Sequence, residues 1–156
     1  MSEKEVEEVV EKASILFKSG YNCSQSVAAA FTDRYGFTQE QMLRMAASFG
    51  GGIGRMRQTC GAACGMFLLA GLETGAIDSK DRAGKAANYA LVRQLAAEFV
   101  KRNGSLICGE LLGIKKTEES YVPEERTEQY YAKRPCVKMV EGAARIWGEY
   151  LEKNDK

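Results

Sequence analysis

The sequence predicts an all-α fold, a compact bundle of about six to seven helices, on three observations. Only 2 prolines occur in 156 residues, so few positions forbid a helix interior. Capping residues recur just before apolar residues at helical spacing, and glycines recur just after them. No stretch alternates apolar and polar residues long enough to need a strand, and no hairpin signature is present.

The elements follow in order. Ser2 caps a first helix to about Lys18, with Glu5 completing a capping box and Val6, Val9, Val10, Ala13 and Leu16 forming its apolar stripe. Gly20 stops it. Asn22 caps a second helix, Cys23 to Tyr35, ended by Gly36, and Thr38 caps a third to about Phe49. Gly50-Gly51-Gly52-Ile53-Gly54 is then expected to be a mobile or tightly turning loop. Cys60 to Thr74 reads as a buried helix with small residues on one face, closed by Gly75. Asp78 or Ser79 opens the longest helix, which runs to about Arg102 and stops at Asn103-Gly104. Ser105 caps a short piece holding Leu106, Ile107, Cys108, Leu111 and Leu112. Lys115 to Arg134 is the least ordered stretch by composition. Pro135 opens the last helix, Cys136 to Glu152.

Bulk properties narrow the function. The length suits a single domain spanning 1–156, with a core that needs no disulfide staples. With 22 basic and 21 acidic residues there is no net field to attract nucleic acid, and no basic–aromatic stretch resembles a nucleic-acid reader. The acidic N-terminus has no apolar core of a secretory signal. The longest uncharged stretch, Gln58 to Leu72, is too short and glycine-rich to span a bilayer, so no membrane insertion is expected. A cytoplasmic location follows as the expectation, where several cysteines point to metal or redox chemistry rather than structural bridges. An odd count of 5 also argues against a fully paired framework.

Cys23, Cys60, Cys64, Cys108 and Cys136 all fall at or near predicted helix starts. There, unpaired N–H groups and the positive end of the helix dipole stabilise a thiolate. Cys60 and Cys64 share one helix face about one turn apart, but C-x3-C is not the usual zinc or thioredoxin spacing. Gly61, Gly65, Ala62 and Ala63 beside them allow another helix or a cluster to approach the backbone closely. Residue chemistry leaves two readings open: five small buried packing residues, or a shared sulfur site.

Cys60-Gly61-Ala62-Ala63-Cys64-Gly65 fits C-G-A-x-x-G, and with Cys23 before it and Cys108 and Cys136 after it the chain resembles the C_GCAxxG_C_C family. The resemblance spans roughly Cys23 to Cys136. It implies a small helical redox protein in which Cys23, Cys60, Cys108 and Cys136 act together, with Cys64 at a variable motif position and read as packing or a reserve ligand. The family also resembles a domain of split-Soret cytochromes that carries an iron–sulfur site. This chain departs from those cytochromes: it has no C-x-x-C-H and no histidine, which rules out histidine-ligated c-type haem.

Other features carry less. The Gly50–Gly54 run lacks the P-loop pattern and follows no strand, so it reads as a flexible connector to Cys60. Arg55 and Arg57 either tune that thiol or are solvated loop charges, the commoner case. Tyr130, Tyr131 and Trp147 read as packing. Glu118-Glu119 and Glu124-Glu125 read as a solvated loop. Without histidine, Ser-His and Cys-His hydrolysis is ruled out within one chain.

Three functions compete. The first is electron transfer by an iron–sulfur cluster, [2Fe-2S] or [4Fe-4S], held by the four cysteines and serving a redox partner protein. The second is a thiol–disulfide protein that cycles one cysteine pair and needs no cofactor. The third is a structural zinc site in an interaction domain. Gly- and Ala-rich helix faces are also suited to homo-oligomer formation.

Overall fold

The computed structural model describes residues 1–114 and 120–155. Among them are nine helices: α1 (Glu3–Lys18), α2 (Cys23–Ala29), α3 (Thr32–Tyr35), α4 (Gln39–Ala46), α5 (Gly61–Thr74), α6 (Arg82–Asn103), α7 (Cys108–Leu112), α8 (Glu128–Lys133) and α9 (Cys136–Asn154). A 3-10 turn, Ala47–Phe49, continues α4. The described residues form no strand, so the fold is all-α as the sequence predicts.

Capping chemistry sets most helix starts. Ser2 Oγ accepts from Glu5 N while Glu5 Oε1 accepts from Ser2 N, and Asn22–Gln25 and Thr38–Gln41 repeat this reciprocal box. Several boundaries differ from expectation, among them the start of α7, which follows Ile107 and is not capped by Ser105. The helix from Cys23 breaks after Ala29, where the Thr32 hydroxyl donates to Ala29 O at 2.8 Å and competes for the helical carbonyl. The longest helix begins at Arg82, because Asp81 caps Gly84 N while Asp78 spends its carboxylate on Lys80 N in a local turn. Within the stretch expected to be least ordered, Thr127 caps α8. Part of that stretch, Glu118-Glu119 included, lies outside the described residues.

The apolar α5 packs against α2, α6 and α9, and α1 lies along α9. Trp147, Phe17, Phe99, Met42, Met66 and Leu69 are fully buried between these helices. The Trp147 indole N–H reaches Tyr35 Oη at 3.2 Å, which satisfies its one donor. Among the described residues no helix is long and apolar enough to cross a membrane.

Two glycines decide how closely α5 crosses α2. A Cβ on Gly61 would stand 2.8 Å from Phe49 O and 3.2 Å from Cys23 Cβ. One on Gly65 would stand 2.8 Å from Ser24 O and 3.1 Å from Val27 Cβ. The start of α5 can therefore rest on the start of α2 only because both positions lack a side chain.

Candidate functional site

That crossing is the first of four devices that gather the cysteines. Cys60 occupies the N-cap of α5 and Cys23 the first position of α2, so the glycine contact sets them side by side. The second device is an isolated antiparallel bridge between Thr59 and Ile107, the residues just before Cys60 and Cys108. Cys60 N donates to Leu106 O at 2.8 Å and Cys108 N to Gln58 O at 2.6 Å. Two helix starts far apart in sequence are thereby clamped together.

The third device is the glycine loop, which is a tight turn and not a flexible connector. Every residue from Gly51 to Arg55 has positive φ, as does Arg57. The turn is closed by Arg55 N→Gly50 O, Arg57 N→Gly51 O and Gln58 N→Gly52 O. Ile53, at φ 68°, holds a left-handed conformation that costs an L-residue about 1–2 kcal/mol. The turn presses onto the site: a Cβ on Gly52 would lie 2.6 Å from Cys108 Cβ. It also carries Arg57 inward, where the side chain is 5% exposed and Nη1 donates to Cys108 Sγ at 3.5 Å. The expectation of solvated loop charges is thus corrected at Arg57.

The fourth device is the packing of α9 on α2, which brings Cys136 to the same cavity as Cys23. Cys23, Cys60, Cys108 and Cys136 together line one cavity of about 430 Å³. Arg55, Arg57, Arg126 and Arg134 also line it, with Tyr121, Pro123, Glu124 and Tyr130. Cys64 does not contribute to that lining; its thiol points back to Thr59 O at 3.8 Å.

One wall is a strap over residues 120–127. Arg55 Nη1 donates to Ser120 O and Val122 O, and Glu124 pairs with Arg134 and, at 3.7 Å, with Arg55. Glu124 is exposed, as the solvated-loop reading expects, and also forms ion pairs at the cavity. Arg126 anchors the strap by donating to Phe17 O in the last turn of α1 and to Tyr21 O just past it, both at 3.0 Å. Its guanidinium lies over the rings of Phe17 and Tyr130. Tyr130 and Tyr131 pack on Phe17 as the packing reading expects.

Helix starts alone do not make every thiol reactive. Burial pushes the Cys60 thiol up to about 12, against the pull of the Ala63 and Ala62 N–H groups. Burial also raises Cys64 to about 11, and raises Cys108 against the opposing pull of Arg57. Cys23 is raised by its hydrogen bond to Cys136 and then by burial. Only Cys136 is lowered, first by the hydrogen bond from Cys23 and then by the positive charges of Arg134, Arg126 and Arg57.

Among the described residues no three Cys, Asp or Glu side chains come together in an arrangement that holds a metal ion. The donor set is nonetheless four thiols around one cavity, with a guanidinium on one sulfur and further arginines in the walls. Such a set is chemically suited to an iron–sulfur cluster, whose sulfur ligands stand around a polynuclear core and whose negative charge is offset by nearby donors and cations.

Sequence reasoning missed Arg126, Arg134 and Tyr121. They lie in a segment whose polar composition resembles any solvated loop, and only the fold brings it over the cavity.

Fold and cavity define a small all-α protein with a four-cysteine centre. Residues 21–150 match the family described as "Putative redox-active protein (C_GCAxxG_C_C)", and the chain belongs to that family. No curated protein and no solved structure matches it.

Proposed function

We propose that the cavity holds an iron–sulfur cluster through Cys23, Cys60, Cys108 and Cys136, and that the protein transfers electrons to and from a redox partner. The convergence of four sulfurs from four helix starts on one cavity carries this reading. When bound, the cluster supplies reversible one-electron chemistry. The chain's own contribution is to position the sulfurs and to place positive charge beside them: Arg57 on Cys108, with Arg126 and Arg134 acting on Cys136. That charge favours the reduced, more negative centre. The strap over residues 120–127 limits access of water to it.

Anaerobic purification, followed by an absorption spectrum with iron and sulfide analysis of the same sample, tests the reading. Charge-transfer bands with matching iron and acid-labile sulfide are expected. A chain that takes up neither after anaerobic reconstitution rejects it. The gathering of several thiols around one cavity favours a second reading, a thiol–disulfide protein cycling one cysteine pair without a cofactor. A reversible two-electron couple in metal-free protein would support it.

A further inference from the structure

We infer that the four-cysteine cavity is also the binding site of a small organic carboxylate with a ring-sized apolar body, held by Arg126 and Arg134. The inference deepens the reading above by giving the same cavity a ligand, and it rests on that reading in taking the cavity as the working site. Size and lining come first. The cavity measures about 430 Å³. That lies within the roughly 300–1,000 Å³ of sites that enclose organic ligands, whereas a cluster core is a handful of atoms. The lining runs past the sulfurs to Leu111 and Leu112 on α7, Met139 on α9, and Tyr121 and Pro123 on the strap. Apolar walls with a few charged groups fit a ligand that has an apolar body and a charged head.

Charge sets the head. Arg126 is fixed by neutral groups, the carbonyls of Phe17 and Tyr21 and the rings of Phe17 and Tyr130, so its place at the cavity needs no carboxylate. Arg134 has a side chain 14% exposed and pairs with Glu124, whose side chain is 45% exposed. That pair already seats a carboxylate on a guanidinium in the cavity wall. A ligand carboxylate takes the same fork while Glu124 turns out to solvent. The other two arginines serve different ends: Arg57 donates to Cys108 Sγ and Arg55 to the strap carbonyls of Ser120 and Val122.

The backbone argues for a carboxylate over a phosphate. Glycine-rich turns hold phosphates through converging N–H groups. In this turn the N–H groups of Ile53, Gly54 and Arg55 donate to Phe49 O, Ser48 O and Gly50 O. Those of Met56, Arg57 and Gln58 donate to Ile53 O, Gly51 O and Gly52 O. The donors that cradle a phosphate elsewhere are spent on carbonyls of the turn and the residues just before it. Recognition falls to guanidinium forks, whose planar geometry matches a carboxylate.

The test titrates the full chain by calorimetry with phenylacetate, phenylpropanoate and naphthoate. It is run on metal-free protein and after anaerobic reconstitution, with iron and sulfide measured on the same samples. At least one carboxylate is expected to bind one to one, and its neutral amide to bind at least about tenfold more weakly. Arg134→Gln is expected to weaken the carboxylate by at least about tenfold. Glu124→Gln is expected to tighten it about two- to fivefold, because the competing carboxylate is gone. Damage to the fold cannot produce that gain.

Binding of none of the three carboxylates, equal binding of the amides, or an affinity that does not rise in Glu124→Gln overturns the inference. Phenyl phosphate binding more tightly than every carboxylate overturns the carboxylate head. A chain that binds the carboxylate but never takes up iron removes the cluster reading and leaves the ligand site standing. One that takes up iron and binds no carboxylate does the reverse, so the two failures are distinguishable.

Discussion

The close crossing of α2 and α5 can be tested by two substitutions in one helix that should move stability in opposite directions. Gly65→Ala puts a methyl group 2.8 Å from Ser24 O and 3.1 Å from Val27 Cβ, whereas ordinary contacts begin near 3.4 Å. Ser24 and Val27 are fully buried, so neither can swing away. The backbones must part by several tenths of an ångström, and overpacking of this kind costs about 1–3 kcal/mol. Replacing glycine by alanine inside a helix returns about 1 kcal/mol. The clash is with backbone and a β-branched stem, so its cost lies in the upper part of that range, and a net loss of about 1–2 kcal/mol is expected. For a chain of this size that lowers Tm by about 2–8 °C. Gly71→Ala is the control. It lies in the same helix, is exposed and has nothing within 4 Å of a built Cβ, so only the helical gain remains. Its Tm should rise by about 1–4 °C. Thermal unfolding of both variants followed by circular dichroism decides the matter. A Tm for Gly65→Ala that rises alongside Gly71→Ala would refute the reasoning.

Three further outcomes are expected. Arg126→Ala removes two charge-assisted hydrogen bonds to Phe17 O and Tyr21 O and the stacking on Phe17 and Tyr130. It should cost about 2–4 kcal/mol in urea unfolding and speed alkylation of the cavity thiols several-fold, because the strap is released. Cys60→Ser should lower both the iron content of reconstituted protein and the Tm gained on loading, since a ligand to a bound cluster also supports the fold; unchanged values would remove Cys60 from the ligand set. Asp155 is held down at about 2 by Arg34 and then by the N-terminal amine, from an ordinary value of 3.8. A lowered carboxylate stabilises above its unfolded value, and that contribution is lost as pH falls through the folded one. Stability should therefore decline between about pH 4 and pH 2, and urea midpoints of Asp155→Asn should decline less steeply there.

The fold class was readable because its signals are local. Ser2 with Glu5 and Thr38 with Gln41 state helix starts within four residues, and Gly20, Gly36 and Gly104 state the stops with backbone at positive φ. The break after Ala29 was not readable, since Thr32 ends α2 by a hydroxyl bond that a threonine within a helix need not make. The four cavity cysteines were legible through their helix-start placement and the C-G-A-x-x-G motif, and the structure gives the two motif glycines a mechanical role against α2. What the sequence hides is the lining supplied by distant chain. The Thr59–Ile107 bridge involves one residue on each side, too short for any periodic signal. Arg57 sits in a loop that reads as solvent-facing, and its inward path depends on consecutive left-handed residues, two of them neither glycine nor asparagine.

These devices also explain why sulfur chemistry is assembled from helix starts instead of one compact loop. A C-x-x-C pair is fixed by a few residues and survives local rearrangement. Here Cys23 depends on α2 meeting α5 and α9, and Cys60 and Cys108 depend on a bridge across more than forty residues of chain. Each sulfur is positioned by a different tertiary contact, so the site exists only when the whole bundle is folded. The same dependence runs in reverse: anything that ties the four sulfurs together, a bound cluster above all, stabilises every one of those contacts at once. On the proposed reading, folding and occupancy of the four-cysteine site are therefore coupled, and the strap anchored by Arg126 ties the carbonyl end of α1 into the same unit.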